Sequence, residues 1–268
     1  MIFIDTHAHL DDPVFDNDRM EVIARASQAG VSRVINVGYT PDRWRTTANL
    51  ATRVSAIVPI FGLHPHHADD FKDSTMEELR HTLLASRACA LGEIGLDYFR
   101  KGPSVVNQRK SFTAQMQLAY SLGLPVVIHQ RAAEDDLMRE LSSSSISAKV
   151  LLHSFEGSQR LADMALERGY QFGVGGLMTR ASSGDLRDVL RGLPLNRMVL
   201  ETDSPYLVPR GSKWRRNEPS ATPTIGAALA NLLGIDVEQV ASQTTANAQT
   251  FFGAALTCGE HRDSIAVD

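Results

Sequence analysis

Short runs of apolar and β-branched residues recur along the chain, at residues 2–6, 33–37, 56–63, 88–94, 125–129, 149–153, 170–174 and 198–202. Each run is nearly continuous in apolar side chains instead of alternating, the pattern of a strand covered on both faces. Amphipathic stretches separate them, among them 16–29, 75–86, 104–122 and 158–168, with apolar residues at helical spacing and charges elsewhere. Gly30, Gly123 and Gly169 each follow one of these stretches, where a left-handed C-terminal cap favours glycine. A final pair of helical segments, 222–233 and 236–249, completes the series.

Strand and helix thus alternate through eight units, which predicts an α/β fold, a single-domain (β/α)8 TIM barrel over residues 1–255 with 256–268 as a C-terminal tail. An open doubly wound sheet and a pair of smaller α/β domains are the competing arrangements. No linker divides the chain, and no G-x-G-x-x-G element follows the first strand, so the uninterrupted run favours the barrel. The serine run at 142–145 reads as a surface loop.

The polar residues add chemistry to this picture. His7 and His9, Glu93, His129, His153 and Asp203 fall at or just past the C-terminal ends of predicted strands 1, 4, 5, 6 and 8. That end of a barrel is its catalytic face. In His7-Ala8-His9 the i and i+2 side chains project to one side of a strand, so both imidazoles face the same ligand. A lone histidine is more often a hydrogen-bonded core or surface residue, but convergence from five strand ends reverses that expectation. Buried ionisable groups are costly unless paired or bound to metal. The set exceeds what a closed four-coordinate site needs, which points to two divalent ions with Glu93, near the middle, as the bridge. Imidazole and carboxylate together leave Zn, Mg and Mn open as the metal.

Glu201 shares strand parity with Asp203 one layer deeper and is placed to hydrogen-bond a ligand or position a water; its plainer reading is a buried carboxylate satisfied by backbone. His64, ahead of Pro65, ends strand 3 and reaches the mouth, whereas His66 and His67 read as loop residues and His81 and His261 as surface. A phosphate would need positive charge near the metals. Arg131 lies two residues beyond His129, and a basic loop carrying Arg210, Arg215 and Arg216 follows strand 8, with Trp214 available to stack a base. A solvated loop with an incidental tryptophan is the rival reading. Tyr98 and Arg100, after strand 4, are candidates for another wall.

Composition narrows the function further. At a formal charge of −4 the chain does not coat nucleic acid by bulk electrostatics, although a local basic patch is compatible with it. Cys89 and Cys258 form no disulfide framework, which fits a reducing compartment, and cytoplasm is the expected location. Asp5 interrupts the first apolar run before it reaches the length of a signal-peptide core, and no segment approaches the roughly 20 apolar residues that span a bilayer, so no membrane association is expected. Neither a G-x-S-x-G element nor a cysteine at a strand end offers a covalent nucleophile.

Several short motifs then stand together: Ile4-Asp5-Thr6-His7-Ala8-His9-Leu10, Gly62-Leu63-His64-Pro65, Gly92-Glu93-Ile94-Gly95-Leu96-Asp97-Tyr98, His129-Gln130-Arg131-Ala132, His153-Ser154-Phe155, Leu200-Glu201-Thr202-Asp203-Ser204-Pro205-Tyr206 and Asn217-Glu218-Pro219. In this combination the chain, up to Gly253, resembles the TatD-type metal-dependent deoxyribonucleases, within the metal-dependent hydrolases of amidohydrolase-like fold. The resemblance implies that His7, His9 and Asp203 hold one ion and His129 and His153 the other, with Glu93 between them, and that His64 contacts substrate. The expected activity is hydrolysis of phosphodiester bonds in DNA by a water nucleophile at the two-ion site. Asp203, Glu93 and Glu201 form the catalytic set, and Asp203 also accepts the proton. The same centre would equally serve a non-nucleic-acid ester, amide or lactone, or an aminoacyl ester on RNA. A metal-stabilised scaffold without turnover is the reading from outside enzymology, and its sign, a missing ligand, is not seen.

Overall fold

The computed structural model describes residues 1–143, 148–213 and 215–256. Strands β1 (Phe3–Ala8), β2 (Val31–Gly38), β3 (Ile57–Phe61), β4 (Leu91–Asp97), β5 (Val126–Arg131), β6 (Val150–Leu152), β7 (Gln171–Val174) and β8 (Met198–Leu200) form one parallel 8-stranded sheet in sequence order. The ring is drawn together between its first and last members by a bridge pairing Ala8 with Ser204, and by Asp203 N–H donating to His7 O and His9 N–H to Ser204 O, each at 2.8 Å. Helices α1 (Arg19–Gln28), α2 (Pro41–Arg53), α3 (Asp73–Ala85), α4 (Val105–Leu122), α5 (Glu134–Ser143), α6 (Gln159–Glu167), α7 (Gly184–Gly192), α8 (Thr222–Leu233) and α9 (Val237–Phe252) alternate with the strands and follow them. This is the expected (β/α)8 barrel; the open sheet and the two-domain arrangement are ruled out by the continuous ring.

Local chemistry accounts for the element ends. Ser104 and Ser158 accept the N–H groups of Asn107 and Leu161 to start α4 and α6, and Thr40 does the same for α2 ahead of Pro41. α4 stops at Gly123 in the left-handed conformation. A capping box between Asp236 and Gln239 opens α9.

Two apolar clusters divide the interior. The larger lies between strands and helices; the smaller joins Ile4, Ile35, Val58, Val127, Leu151 and Val199 to Phe251 and Phe252 of α9. Because alternate strand residues face opposite sides, this second cluster is the barrel's filling, and α9 closes the end opposite the strand C-termini. Asn247 of α9 donates to the carbonyls of Leu195 and Met198, fixing that closure at the start of β8. Leu256, expected as the first residue of the tail, is buried in the inner cluster; 257–268, with His261 and Cys258, lie outside the described residues, as do 144 and 145 of the serine run, whose first two residues belong to the last turn of α5 and not to a loop. No helix among the described residues is long and apolar enough to cross a membrane.

Candidate metal centre

Strand parity delivers the polar side chains to one spot. Val127, Leu151 and Val199 fill the barrel, and their i+2 neighbours His129, His153 and Glu201, with Asp203 after Glu201, therefore also point inward just above it. A register irregularity between Gly92 and Ile94 leaves Glu93 and Asp97 on the inner face while Ile94 and Leu96 join the outer core. The packing beneath is tight: a Cβ on Gly95 would sit 1.9 Å from His129 O, and one on Gly173 2.2 Å from Glu201 Oε2. Ser154 and Asp203 hold left-handed φ values of 46° and 56°, strain of the kind that surrounding structure must enforce.

Glu93 is the hub. His129 Nδ1 lies 2.6 Å from its Oε1, His153 Nε2 and His64 Nε2 each 3.7 Å from Oε1, and His7 Nε2 3.4 Å from Oε2. Asp203 Oδ1 closes the other side, 3.4 Å from His9 Nε2 and 3.8 Å from His7 and His153. Ligand atoms converge within 4.8 Å in three groups, His7 with His9 and Glu93, His7 with His153 and Asp203, and His64 with Glu93 and His129. His153 thus sits nearer His7 and Asp203 than the two-ion division implied by the resemblance, while His129 stands on the far side of Glu93.

The other nitrogen of each ring decides what the near one offers. His9 Nδ1 donates to Val37 O at 3.2 Å, His129 Nε2 faces Asp97 Oδ2 at 3.0 Å, and His153 Nδ1 faces Glu201 Oε1 at 3.0 Å. Each arrangement leaves a lone pair toward Glu93 and Asp203, the backing that metal-binding histidines ordinarily have. His7 is buried and stacked on His153 at 3.4 Å, and neither of its nitrogens has a hydrogen-bond partner among the described residues. Orphaned nitrogens in such a place are what a cation would satisfy, so the residues fit divalent ions. His64 differs. Its Nδ1 accepts the His66 backbone N–H at 3.1 Å, so the neutral ring carries its proton on Nε2 and offers a donor to the cavity instead of a lone pair.

Charge follows this geometry. Burial opposes ionisation of Glu93, but the imidazoles of His64, His153 and His7 and the hydrogen bond to His129 hold it well below the usual carboxylate range. Burial likewise works against protonated His129 and His153, yet Asp97 and Glu93 raise the first to about 9, and Glu201 and Glu93 raise the second to about 10. Protons on these rings balance the carboxylates where bound cations otherwise would.

Above the centre lies a cavity of about 550 Å³ whose rim carries Arg100, Arg131 and Arg180. Arg131 lines it as the sequence suggested. Arg210 and Arg215 are exposed and lie outside the lining; Arg216 grips Asp18 at 2.7 and 3.0 Å and packs on Phe15. The strand-8 loop runs over the loop after β7, where Leu207 O approaches Gly176, and Arg210 N–H is fixed to Thr179. Trp214 lies outside the described residues. Tyr98 donates its hydroxyl to Asp136 and is not part of the lining, whereas Arg100 is. Sequence reasoning missed Asp97 and His66. Asp97 Oδ2 is 3.0 Å from both His129 Nε2 and His66 Nε2, and its spacing of four from Glu93 on one strand was the available signal.

The family model for TatD related DNase matches residues 4–253. The chain belongs to that family. It is 32% identical over 252 residues to the uncharacterised metal-dependent hydrolase YjjV of Escherichia coli K12, covering 93% of this chain and 97% of that protein. With the 3'-5' ssDNA/RNA exonuclease TatD of Erwinia amylovora it shares 34% identity over 256 residues, 93% of this chain and 99% of the relative. The crystal structure of E. coli YjjV superposes with a TM-score of 0.88 over 93% of this chain and 97% of that one. A TatD-family hydrolase from Entamoeba histolytica, at 22% identity and TM-score 0.84 over 94% of this chain and 98% of the other, shares the fold. The protein is therefore a TatD-family hydrolase that uses divalent metal.

Proposed function

We propose that this protein hydrolyses phosphodiester bonds of nucleic acid, DNA foremost, with two divalent ions held by His7, His9, Glu93, His129, His153 and Asp203. The observation that carries the reading is the orientation of the imidazoles: with their remote nitrogens engaged by Val37 O, Asp97 and Glu201, their near nitrogens converge on Glu93 and Asp203 beneath an arginine-bearing rim. The names of relatives such as the Erwinia exonuclease support a polynucleotide substrate. Bound divalent ions supply a lowered water pKa and charge neutralisation at the attacked phosphorus.

The chain's own groups do the rest. Glu93, at the centre of the ligand set, would hold the ions together with the surrounding imidazoles, and Asp203 would accept the proton of the attacking water on the carboxylate oxygen not engaged by His9. Glu201, which accepts Ser154 N–H at 2.6 Å, holds the His153 ring in position. His64 donates from Nε2 to a phosphoryl oxygen, and Arg131 neutralises a neighbouring phosphate. The cytoplasm is the proposed site of action, in keeping with a buried free thiol at Cys89.

Elemental analysis of protein purified without added metal, coupled to cleavage assays with and without chelator, tests the reading. Two equivalents of metal and chelator-sensitive cleavage of DNA are expected. Metal-replete protein that leaves single- and double-stranded DNA intact across Mg²⁺, Mn²⁺ and Zn²⁺ while hydrolysing carboxylic esters, lactones or amides overturns it.

A further inference from the structure

We propose that Phe99 and Tyr206 are stacking shelves for unpaired bases on either side of the scissile phosphate, an inference that rests on the phosphodiester reading. Both are large aromatic side chains left open to solvent, Phe99 at 64% and Tyr206 at 51% of full exposure. Isolated exposed apolar residues need no explanation, but these two occupy the loops after β4 and β8 on the catalytic face. In a ring ordered β1 to β8, those strands are opposite one another. Tyr206 lines the cavity directly, and Phe99 stands just outside it on the opposite loop, against Arg131, which does line it.

Both shelves are held in register with the centre. Asp97 Oδ1 accepts the Phe99 backbone N–H at 3.0 Å while Oδ2 of the same carboxylate faces His129. Tyr206 N–H donates to Asp203 O at 2.8 Å, and its ring lies 6.0 Å from that of His9. One face of Phe99 is already covered by the Arg131 guanidinium, 3.9 Å from the ring centroid, which leaves the opposite face for a base. The arrangement pairs a cation for the backbone with a π-face for the base, which is how single strands are bound without sequence readout. Bases within a duplex are stacked on one another and present no free face, so the shelves select unpaired strands.

The test compares kcat/KM of the metal-replete full chain on a single-stranded oligodeoxynucleotide and on a strand of equal length and charge with tetrahydrofuran abasic residues flanking the cleaved bond. The ratio of the two isolates base stacking. Phe99→Ala and Tyr206→Ala are each expected to lower that ratio about tenfold, and Phe99→Trp to preserve it. A folding defect lowers both rates together and leaves the ratio intact, so it does not imitate the effect. A ratio unchanged in both alanine variants, or near one in the wild type while both strands are cut, overturns the inference alone. Cleavage of neither strand by the wild type overturns this inference, and the phosphodiester reading falls with it if duplex DNA is left intact as well.

Discussion

Asp97→Asn probes how far the ligand set depends on its backing. The native carboxylate uses Oδ2 toward His129 Nε2–H at 3.0 Å and Oδ1 toward the N–H groups of Phe99 and Arg100 at 3.0 and 3.4 Å. An asparagine has one acceptor oxygen for these two tasks. If its oxygen stays with the loop, its NH2 meets His129 Nε2 and drives the ring proton to Nδ1, the nitrogen 2.6 Å from Glu93 that must carry a lone pair to ligate. If the oxygen turns to His129, the amide hydrogens oppose the loop N–H groups. Either way one charge-assisted hydrogen bond is lost, about 1.5–3 kcal/mol. At about 1.4 kcal/mol per decade this is roughly a 10- to 100-fold loss of metal affinity, the range found when such outer partners are removed. Competition against a chromophoric chelator measures it, and kcat should recover at saturating metal. Unaltered metal affinity in a folded Asp97→Asn protein would refute the reasoning.

Glu201→Gln keeps an acceptor for Ser154 N–H but removes the charge behind His153, so metal affinity is expected to fall about tenfold, measured by the same competition. Arg216→Glu breaks the Asp18 pair and the contact with Phe15, which should lower Tm by about 2–4 °C for a loss of roughly 1 kcal/mol while leaving the ratio of DNA to small-ester turnover unchanged; calorimetry and paired assays check this. Burial pushes the Cys89 thiol up to about 12. A raised folded pKa gives stability that is complete below the unfolded value near 8.5 and is lost as pH rises from there toward 12. In a Cys258→Ser background, Cys89 should resist thiol reagents at pH 8 and react only on unfolding, and stability should decline above pH 9 less steeply in Cys89→Ala than in the parent.

The barrel was legible because its strands are short, apolar and regularly spaced, and parity along them also placed His129, His153, Glu201 and Asp203. Asp97 escaped notice because its value depends on two imidazoles arriving from other loops, one of them His66, which pattern alone leaves in a connecting segment. The basic residues were harder. Arg210, Arg215 and Arg216 read as a phosphate patch because they are adjacent in sequence, but a loop's path is set by what it packs against, not by periodicity. Arg216 is drawn to Asp18, while Arg100 and Arg180, unremarkable in sequence or assigned only to a wall, reach the rim.

The first and last strands meet where the ligands are. His7 and His9 stand on one edge of that seam and Asp203 on the other, and the edges share only a few backbone contacts, including those of His9 with Ser204 and Asp203 with His7. An ion coordinated from both edges would act as a clasp, closing a loop that runs from β1 to just past β8, and cross-links of long loops constrain an unfolded chain most. Chelation should then loosen the ring at this seam first, with the amides of His9 and Asp203 exchanging before those between β4 and β5. Metal supply would govern not only how fast the protein works but how long each copy survives.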